Sequence, residues 1–262
     1  MRVGIMQPYF FPYPGHFALI SRCDDWYVFD LTQYTPKSWI NRNRVLHPGG
    51  GPNWISVPLA NSSIHIRIAD ARVQDVAGTA RAMLGKLSHY RKRAPHCRAV
   101  EAIVAETFAL PSGDESLVHL NLRGLTAVCQ YLGLPFRPRI CSELDLDLPA
   151  ACGAGDWALE IASRVGATAY LNPISGRGLF DPSRFAARGI ELQFVDPQPW
   201  HYAQGTGPAV PGLSILDALM WNDAASVAAA IRAAAVVVAA GPAQGSAAAD
   251  GPPVASRCVA CT

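Results

Sequence analysis

Apolar positions along the chain follow two spacings, one typical of buried strands and one typical of amphipathic helices. Short runs rich in β-branched and aromatic residues predict strands at Arg2 to Met6, Asp25 to Leu31, Trp54 to Leu59, Ile64 to Ile68, Arg137 to Ser142, Thr168 to Leu171 and Ile190 to Val195. Apolar residues three or four positions apart predict helices at Phe17 to Ile20, Asp75 to Tyr90, Cys97 to Phe108, Leu117 to Leu132, Gly155 to Val165, Pro182 to Ala187 and, as the last one, Ser214 to Met220.

This alternation of strands with helices indicates the fold class and the division of the chain. Parallel strands need a crossover between them, and helices of this length supply one. We therefore predict an α/β fold: a three-layer, mostly parallel, Rossmann-like sheet with a helical subdomain at about residues 75–132. Residues 1–238 would form one domain. Alanine, glycine, proline and serine dominate residues 239–262, which predicts a disordered tail.

Composition argues against several classes of protein. A net charge of +2 over 262 residues lacks the concentrated basic excess of a nucleic-acid-binding protein. The alanine-rich run Ala224 to Ala240 contains Arg232 and is too weakly apolar to span a membrane. No signal peptide is visible, because polar and proline-broken sequence starts at Gln7. We therefore expect a cytoplasmic protein with no membrane and no nucleic-acid partner.

The cysteines predict neither a disulfide framework nor a metal site. Seven of them are scattered along the chain, which is typical of reduced thiols. Cys258 and Cys261 form a CxxC pair, but a zinc site needs four ligands and no second pair of that spacing occurs. The chain also lacks the GxSxG, HExxH, Walker A and GxGxxG motifs. We predict no metal, and the sequence identifies no cofactor.

The stretch after the first strand predicts a ligand site, with an aromatic-rich structural core as the alternative. Gln7-Pro8 ends the strand, a loop of prolines and aromatic residues follows, and Gly15-His16 opens a helix that leads to the second strand. In such βαβ units ligands bind at the carboxyl ends of the strands. The glycine-containing loop after Thr168 to Leu171 would present backbone N–H groups at the same edge. The residues expected to line this one pocket are Gln7, Tyr9, His16, Gln33, Lys37, Asn41, Arg42, Asn172, Ser175 and Gly176.

The segment Thr35 to Arg44 predicts an anion-binding loop, with a solvated charged loop as the alternative. Two guanidinium groups and an ammonium group beside asparagine amides suit a phosphate or a carboxylate. A tryptophan and an isoleucine at its centre indicate partial burial. Arg42 would bind the anion in a bidentate way, and the amides of Asn41 and Asn43 would complete the site. The binding residues predicted in this loop are Lys37, Asn41, Arg42 and Arg44.

Several sequence runs together carry a resemblance to a known family. In chain order they are IMQPYFFPY, GHFALI, DWYVFDLTQY, WINRNR, YRKRAP, YLNPISGRGLFDPSRFAARGIEL and LSILDALMWN. In these runs the chain resembles the WbqC-like family, which is associated with bacterial surface-polysaccharide and O-antigen gene clusters and with some natural-product clusters. The resemblance implies a transferase that decorates a small precursor, by acyl or aminoacyl transfer to an amine.

Such a transfer needs a base for the amine and donors for the developing oxyanion. We expect His16 or Asp30 as the base. Asn41 or the backbone around Ser175 would supply the donors. The expected partner is a small molecule, namely an amino sugar or an acyl donor, free or bound to a carrier.

Other functions stay open. The first strand, the Pro-Gly-His sequence and the helix start are similar to HxGH nucleotidyltransferases such as pantothenate synthetase, which implies an ATP-dependent adenylate-forming ligase. Tyr13 stands where the first histidine of that motif would be. A non-enzymatic binding or assembly protein and a glycosyltransferase are further alternatives, because no catalytic set stands out in the sequence.

Overall fold

The structure, a computed structural model, describes residues 1–149, 152–202, 204–205 and 207–241. The strands in this part of the chain are β1 (Arg2–Met6), β2 (Asp25–Val28), β3 (Arg42–Leu46), β4 (Pro52–Ser56), β5 (Pro138–Ile140), β6 (Ala169–Pro173), β7 (Glu191–Pro197) and β8 (Ala235–Ala239). The helices are α1 (Pro14–Ile20), α2 (Val76–Leu87), α3 (Cys97–Phe108), α4 (Leu117–Leu132), α5 (Asp156–Arg164), α6 (Pro182–Ala186), α7 (Ile215–Trp221) and α8 (Ala224–Ala234).

A six-stranded sheet in the order β5-β2-β1-β6-β7-β8 forms the centre of the fold. Neighbouring strands are parallel from β5 to β7, and β8 pairs antiparallel with β7 at one edge. Helices cover both faces, with α1 and α8 against one hydrophobic cluster and α5 and α6 against the other. Side chains alternate between these clusters, since Trp26 packs with α1 and Tyr27 packs on the α5 side. The predicted mostly parallel α/β fold is confirmed.

The order of the strands creates a switch point between β1 and β6. The chain passes from β1 through α1 to β2 on one side, and from β6 through α6 to β7 on the other. Crossover helices on opposite faces leave a crevice at the carboxyl ends of β1 and β6, where ligands bind in open α/β sheets. This crevice is where Gln7 and the loop from Asn172 to Gly176 were expected to meet.

Three long helices pack outside the α1 and α8 layer. α2 packs on α3 and α3 on α4, while α3 also contacts α7 and α4 contacts α8. The boundaries of α3 and α4 agree with their apolar spacing, and α4 ends at Gly133 in a left-handed conformation with φ of 61°. None of the described helices is long and apolar enough to cross a bilayer.

The basic segment is partly a strand rather than the predicted loop. β3 pairs antiparallel with β4 in a separate two-stranded hairpin, with Arg44 opposite Trp54. Successive side chains of a strand point to opposite faces, so Arg42 and Arg44 share one face and Asn43 lies on the buried one.

Buried polar side chains hold the loop that follows β1. The Asn43 Nδ2 donates to the carbonyls of Phe10 and Phe11 at 3.0 and 2.9 Å. Asn121 Nδ2 donates to the Pro8 carbonyl at 2.7 Å, and Ser214 Oγ donates to the Phe11 carbonyl at 2.7 Å. Phe11 has a φ of 40°, an uncommon conformation for an aromatic residue, and these bonds fix it. The loop therefore has one defined path although its prolines prevent a regular element.

Other sequence predictions for secondary structure were wrong. Ile64 to Ile68 forms no strand, because a single bridge between Gln33 and Arg67 is followed by a 3-10 turn at Ile68–Asp70. Met220 does not end the last helix, since α8 and β8 follow it. Of the predicted tail, residues 242–262 lie outside the described part of the chain.

Candidate functional site

Polar residues gather at the carboxyl edge of the parallel sheet. Gln7 directly follows β1, Asp30 lies two residues after β2, and Asn172 is the fourth residue of β6. Ser175 and Gly176 lie in the 3-10 turn that follows β6. The structure therefore places this predicted group at one edge of the sheet, on three neighbouring strands.

The Asn172 amide is engaged within its own segment. Its Oδ1 accepts from the Tyr170 hydroxyl at 2.9 Å, and its Nδ2 donates to the Pro173 carbonyl at 3.1 Å. A Cβ at Gly176 would collide with this amide, so glycine lets the turn close over it. The nearby guanidinium of Arg177 donates to the carbonyls of Ala239 and Ala240, at 3.4 and 2.6 Å.

His16 is buried in an aromatic cage. Its ring centroid lies 5.6 Å from that of Tyr9, 5.2 Å from Trp26 and 6.2 Å from Phe17. The Nε2 atom has no hydrogen-bond partner among the described residues. Burial lowers the pKa of His16 to about 3, so its imidazole is neutral at neutral pH.

Asp30 forms its side-chain hydrogen bonds with Ser142, which lies two residues after the end of β5. Its carboxylate accepts from the Ser142 amide at 3.0 Å and from the Ser142 hydroxyl. Burial raises the pKa of Asp30, and the two bonds from Ser142 oppose that shift. Ser142 itself is exposed, so its hydroxyl links the buried carboxylate to the surface.

The remaining loop residues of the predicted set are dispersed. Gln33 is exposed, and its amide donates to the Ile64 carbonyl. Lys37 is exposed, with a φ of 58°. Asn41 donates to the Val57 carbonyl at 3.1 Å. The prediction that Asn41 and Asn43 complete an anion site around Arg42 was wrong for Asn43, because its amide binds the loop carbonyls on the opposite face of β3.

Two arginines and two tryptophans form a layered cluster on the hairpin, which we call the Arg–Trp stack: Trp39, Arg42, Arg44 and Trp54. The Arg42 guanidinium lies 4.1 Å from the ring centroid of Trp54. The Arg44 guanidinium lies 5.4 Å from Trp39 and 5.9 Å from Trp54, whose rings stack on each other at 5.8 Å. Cations are attracted to such ring faces.

No carboxylate of the described residues forms an ion pair with either arginine of the stack. The Nε atoms of Arg42 and Arg44 are buried and have no hydrogen-bond partner among the described residues. Guanidinium groups that have no carboxylate partner can donate charge-assisted hydrogen bonds to a phosphate or a carboxylate. The stack therefore has the chemistry of an anion site.

Arg44 connects the stack to a cavity of about 650 Å³, which we call the aromatic pocket. Its Nη2 donates to the carbonyl of Gly212 at 3.3 Å, and Gly212 lines the pocket. The pocket lies beyond the carboxyl end of β7, between the start of α1 and one side of α8. Its lining residues are Tyr13, Pro14, Gly15, Pro197, Gln198, Pro199, Trp200, His201, Tyr202, Gln204, Ala209, Val210, Pro211, Gly212, Leu213, Ala230, Ile231 and Ala234.

A buried carboxylate ties the pocket wall to the hairpin. Asp217, at the start of α7, accepts hydrogen bonds from the hydroxyls of Tyr202, at 2.8 Å, and Tyr90. Its Oδ1 also accepts from the Leu46 amide at 3.4 Å, and that amide donates to the Tyr90 hydroxyl at 2.8 Å. Burial raises the pKa of Asp217, and these bonds oppose that shift. Leu46 ends β3, so one carboxylate positions both a pocket wall and the arginine strand.

Sequence reasoning missed the pocket and the side chains that support it. None of the residues predicted for the site lines the pocket, although Arg44 contacts its rim. One available signal was a single aspartate in the apolar helix sequence ILDALMW, since a buried carboxylate needs donors from elsewhere in the fold. Another was the cluster Trp200, His201 and Tyr202, which follows the predicted strand Ile190 to Val195 after a short proline-containing segment.

The described residues contain no group of three or more His, Cys, Asp or Glu side chains that could hold a metal ion. One histidine, His119, contacts two acidic residues, and these contacts join two segments of the fold. His119 Nδ1 lies 2.7 Å from Asp114 and its Nε2 lies 3.3 Å from Glu143, which links the start of α4 to the segment after β5.

Comparison with known proteins gives the family. The model of the WbqC-like protein family matches residues 7–229, which include the loop after β1, the Arg–Trp stack and the lining of the aromatic pocket except Ala230, Ile231 and Ala234. The chain therefore belongs to the WbqC-like family. It is 30% identical over 220 residues to the uncharacterized protein Rv1507c of Mycobacterium tuberculosis (strain ATCC 25618 / H37Rv), covering 83% of this chain and 92% of that protein. No solved structure matches the chain.

Proposed function

We propose that the protein is a transferase that moves an acyl or aminoacyl group onto an amine of a small precursor in surface-polysaccharide or natural-product biosynthesis. The observation that carries this proposal is the position of Arg44. Its guanidinium has no carboxylate partner among the described residues and stands at the rim of a cavity large enough for a small molecule. The pathway is suggested by the resemblance to the family.

Arg44 and Arg42 would bind the anionic part of a substrate. Stacking on Trp39 and Trp54 fixes the guanidinium planes, so little side-chain freedom is lost when a phosphate or carboxylate binds. The tie between Asp217 and Leu46 holds β3, which carries both arginines. This arrangement is suited to positioning a substrate for transfer.

His201 is the residue we propose as the base. It is exposed and lines the pocket, and none of the described hydrogen bonds engages its imidazole. The acceptor amine would attack the carbonyl carbon of an activated ester or thioester, forming a C–N bond and breaking the C–O or C–S bond. His201 would take the proton from the amine and return it to the departing oxygen or sulfur, which balances the step.

This proposal moves the base away from His16 and Asp30. His16 is enclosed by aromatic rings, and its low pKa makes it a weak proton acceptor. Asp30 follows β2, which lies three positions from β7 in the sheet, or about 14 Å at the usual strand spacing. In the proposal Asp30 orients Ser142, and Gln7 with the Ser175 turn contacts the acceptor at the switch point.

The experiment combines binding and product formation. Melting temperatures measured with ATP, nucleotide sugars and acyl thioesters identify the ligand class, because a ligand that binds the folded state raises the melting temperature. Arg44→Ala should weaken binding of the anionic ligand by about ten- to a hundredfold, the loss of one charge-assisted contact, and Arg44→Lys should not restore it. Arg98→Ala, an exposed arginine of α3, is the matched control and should bind like wild type.

Mass spectrometry of amino sugars incubated with the thioester that binds tests the transfer. His201→Gln should lower the rate about 10²- to 10⁴-fold with little change in affinity, whereas the exposed His65→Gln should keep full activity. Stabilisation by ATP with release of AMP would favour the adenylate-forming ligase instead. Binding without any product would favour the non-enzymatic role.

A further inference from the structure

The walls of the aromatic pocket suit an apolar group. Trp200 and Tyr202 form one side, with ring centroids 4.9 Å apart, and Ile231 of α8 lies on another. Prolines and small aliphatic side chains complete most of the remaining surface. Burial of an alkyl group against such walls is favourable, and the gain grows with each methylene that leaves water.

The polar side chains of the pocket are mostly engaged by the protein itself. The Gln204 side chain donates to the Val210 carbonyl at 2.9 Å and accepts from the Val210 amide at 2.7 Å. The Tyr202 hydroxyl donates to Asp217, and the Gln198 amide donates to the Asp196 carbonyl at 3.3 Å. A sugar in this pocket would leave hydroxyl groups without partners, and each unpaired buried group is costly.

The charge available to a ligand lies at the rim. Arg44 reaches the pocket only through the carbonyl of Gly212, so its guanidinium would meet the end of a ligand rather than its middle. A long apolar body with one polar or anionic end fits this distribution. A ligand with hydroxyl groups on every side does not.

We infer that the aromatic pocket binds the acyl group of the donor as an aliphatic chain, with its carbonyl end and the adjoining anionic group at Arg44. This inference names the donor class of the proposed transferase and rests on that function. The amino sugar or other acceptor then lies outside the pocket, toward the switch point between β1 and β6.

The test measures binding of octanoate, octanol and glucosamine by titration calorimetry. Octanoate supplies the chain with a carboxylate at the position of the acyl carbonyl and anionic group, octanol lacks the charge, and glucosamine represents the sugar. Octanoate should bind at least tenfold more tightly than octanol to wild type, and the two should differ less than twofold in Arg44→Ala. Tighter binding of glucosamine than of octanoate at the pocket would overturn the inference.

Substitution on α8 locates the chain. Ala230 lines the pocket, and Ala229 is its exposed neighbour on the same helix. Ala230→Phe should weaken octanoate binding at least tenfold by filling the cavity, whereas Ala229→Phe should leave it within twofold. Equal octanoate affinity in the two variants, both folded by circular dichroism, would contradict the inference.

The two proposals fail in different ways. One outcome is that octanoate binds, that Ala230→Phe blocks this binding, and that no thioester acylates any amine. This outcome would support the acyl-chain site and contradict the transferase function. If the protein transfers acetyl groups to an amine and octanoate does not bind, the transferase function is supported and the acyl-chain pocket is contradicted.

Discussion

At the scale of single residues, His16 shows how burial decides what a residue can do. A histidine after a glycine at a helix start suggests a catalyst, yet its ring packs against Tyr9 and Trp26 and its Nε2 has no hydrogen-bond partner among the described residues. Such a group favours the neutral form, because protonation would place a charge among aromatic rings. The consequence is measurable as a dependence of stability on pH.

We predict that His16 makes the fold sensitive to acid. Its pKa is about 3 in the folded protein and about 6.5 in the unfolded chain, so the unfolded state binds more protons between these values. The stability contribution of the neutral imidazole is therefore complete above pH 6.5 and is lost as the pH falls, by up to about 1.4 kcal/mol per pH unit. Urea unfolding of wild type and His16→Phe at pH 7 and pH 5 should show the steeper loss in wild type.

The quantity to compare is the difference in the free energy of unfolding between wild type and His16→Phe at each pH. The carboxylates that both proteins share titrate in the same range, and their effect cancels in this difference. Parallel stability curves would mean that His16 is protonated or solvated in the native state. That result would return it to consideration as a catalyst.

At the scale of elements, the loop after β1 depends on side chains that are remote in sequence. Asn43→Ala removes the bonds to the carbonyls of Phe10 and Phe11, so the Phe10 carbonyl loses its side-chain donor and the Phe11 carbonyl keeps only the Ser214 hydroxyl. We predict a loss of about 2–4 kcal/mol in the free energy of unfolding, measured by urea denaturation. Asn53→Ala, a half-buried asparagine on β4 with no side-chain hydrogen bond to the described residues, should change it by less than about 0.5 kcal/mol. Similar losses in both variants would show that the loop does not depend on Asn43.

The accuracy of sequence-based prediction also differed between elements for physical reasons. Helices α3 and α4 were predicted at their observed boundaries, because a repeating apolar face fixes both period and length. Strand β8 was missed, since its alanine-flanked valines continue the composition of α8 and only pairing with β7 makes them a strand. Strand β3 was read as a loop, because its alternating arginines and asparagines carry no apolar period.

The candidate site, like the strands, was predicted only where a local sequence pattern marks it. The sequence predicted an anion-binding role for Arg42 and Arg44, since cations close together in sequence are visible without a structure. The aromatic pocket combines the start of α1, the segment after β7 and α8, and its outermost lining residues, Tyr13 and Ala234, lie 221 positions apart along the chain. Only the sheet order brings them together, and no local pattern contains that information.

At the scale of the whole molecule, the carboxyl edge of the sheet carries two separate regions that we propose as ligand sites. One is the switch point with Gln7 and Asn172, and the other is the aromatic pocket with Arg44 at its rim. The sequence predicted a single pocket shared by the switch-point residues and the basic segment that contains Arg42. The lining of the cavity contains no residue of the switch point, which favours two regions used by different parts of the reaction.

A double-mutant cycle decides between one region and two. We predict that Gln7→Ala leaves the affinity for octanoate unchanged, that Arg44→Ala weakens it, and that the double variant equals the sum within about 0.5 kcal/mol, as expected for sites without shared partners. Calorimetric titration of the four proteins supplies the values, with melting temperatures to confirm that each is folded. A coupling energy above about 1 kcal/mol would join Gln7 and Arg44 in a single pocket. The acceptor and the acyl chain would then compete for one place, and the arrangement of donor and acceptor along the sheet edge proposed for the transfer would be wrong.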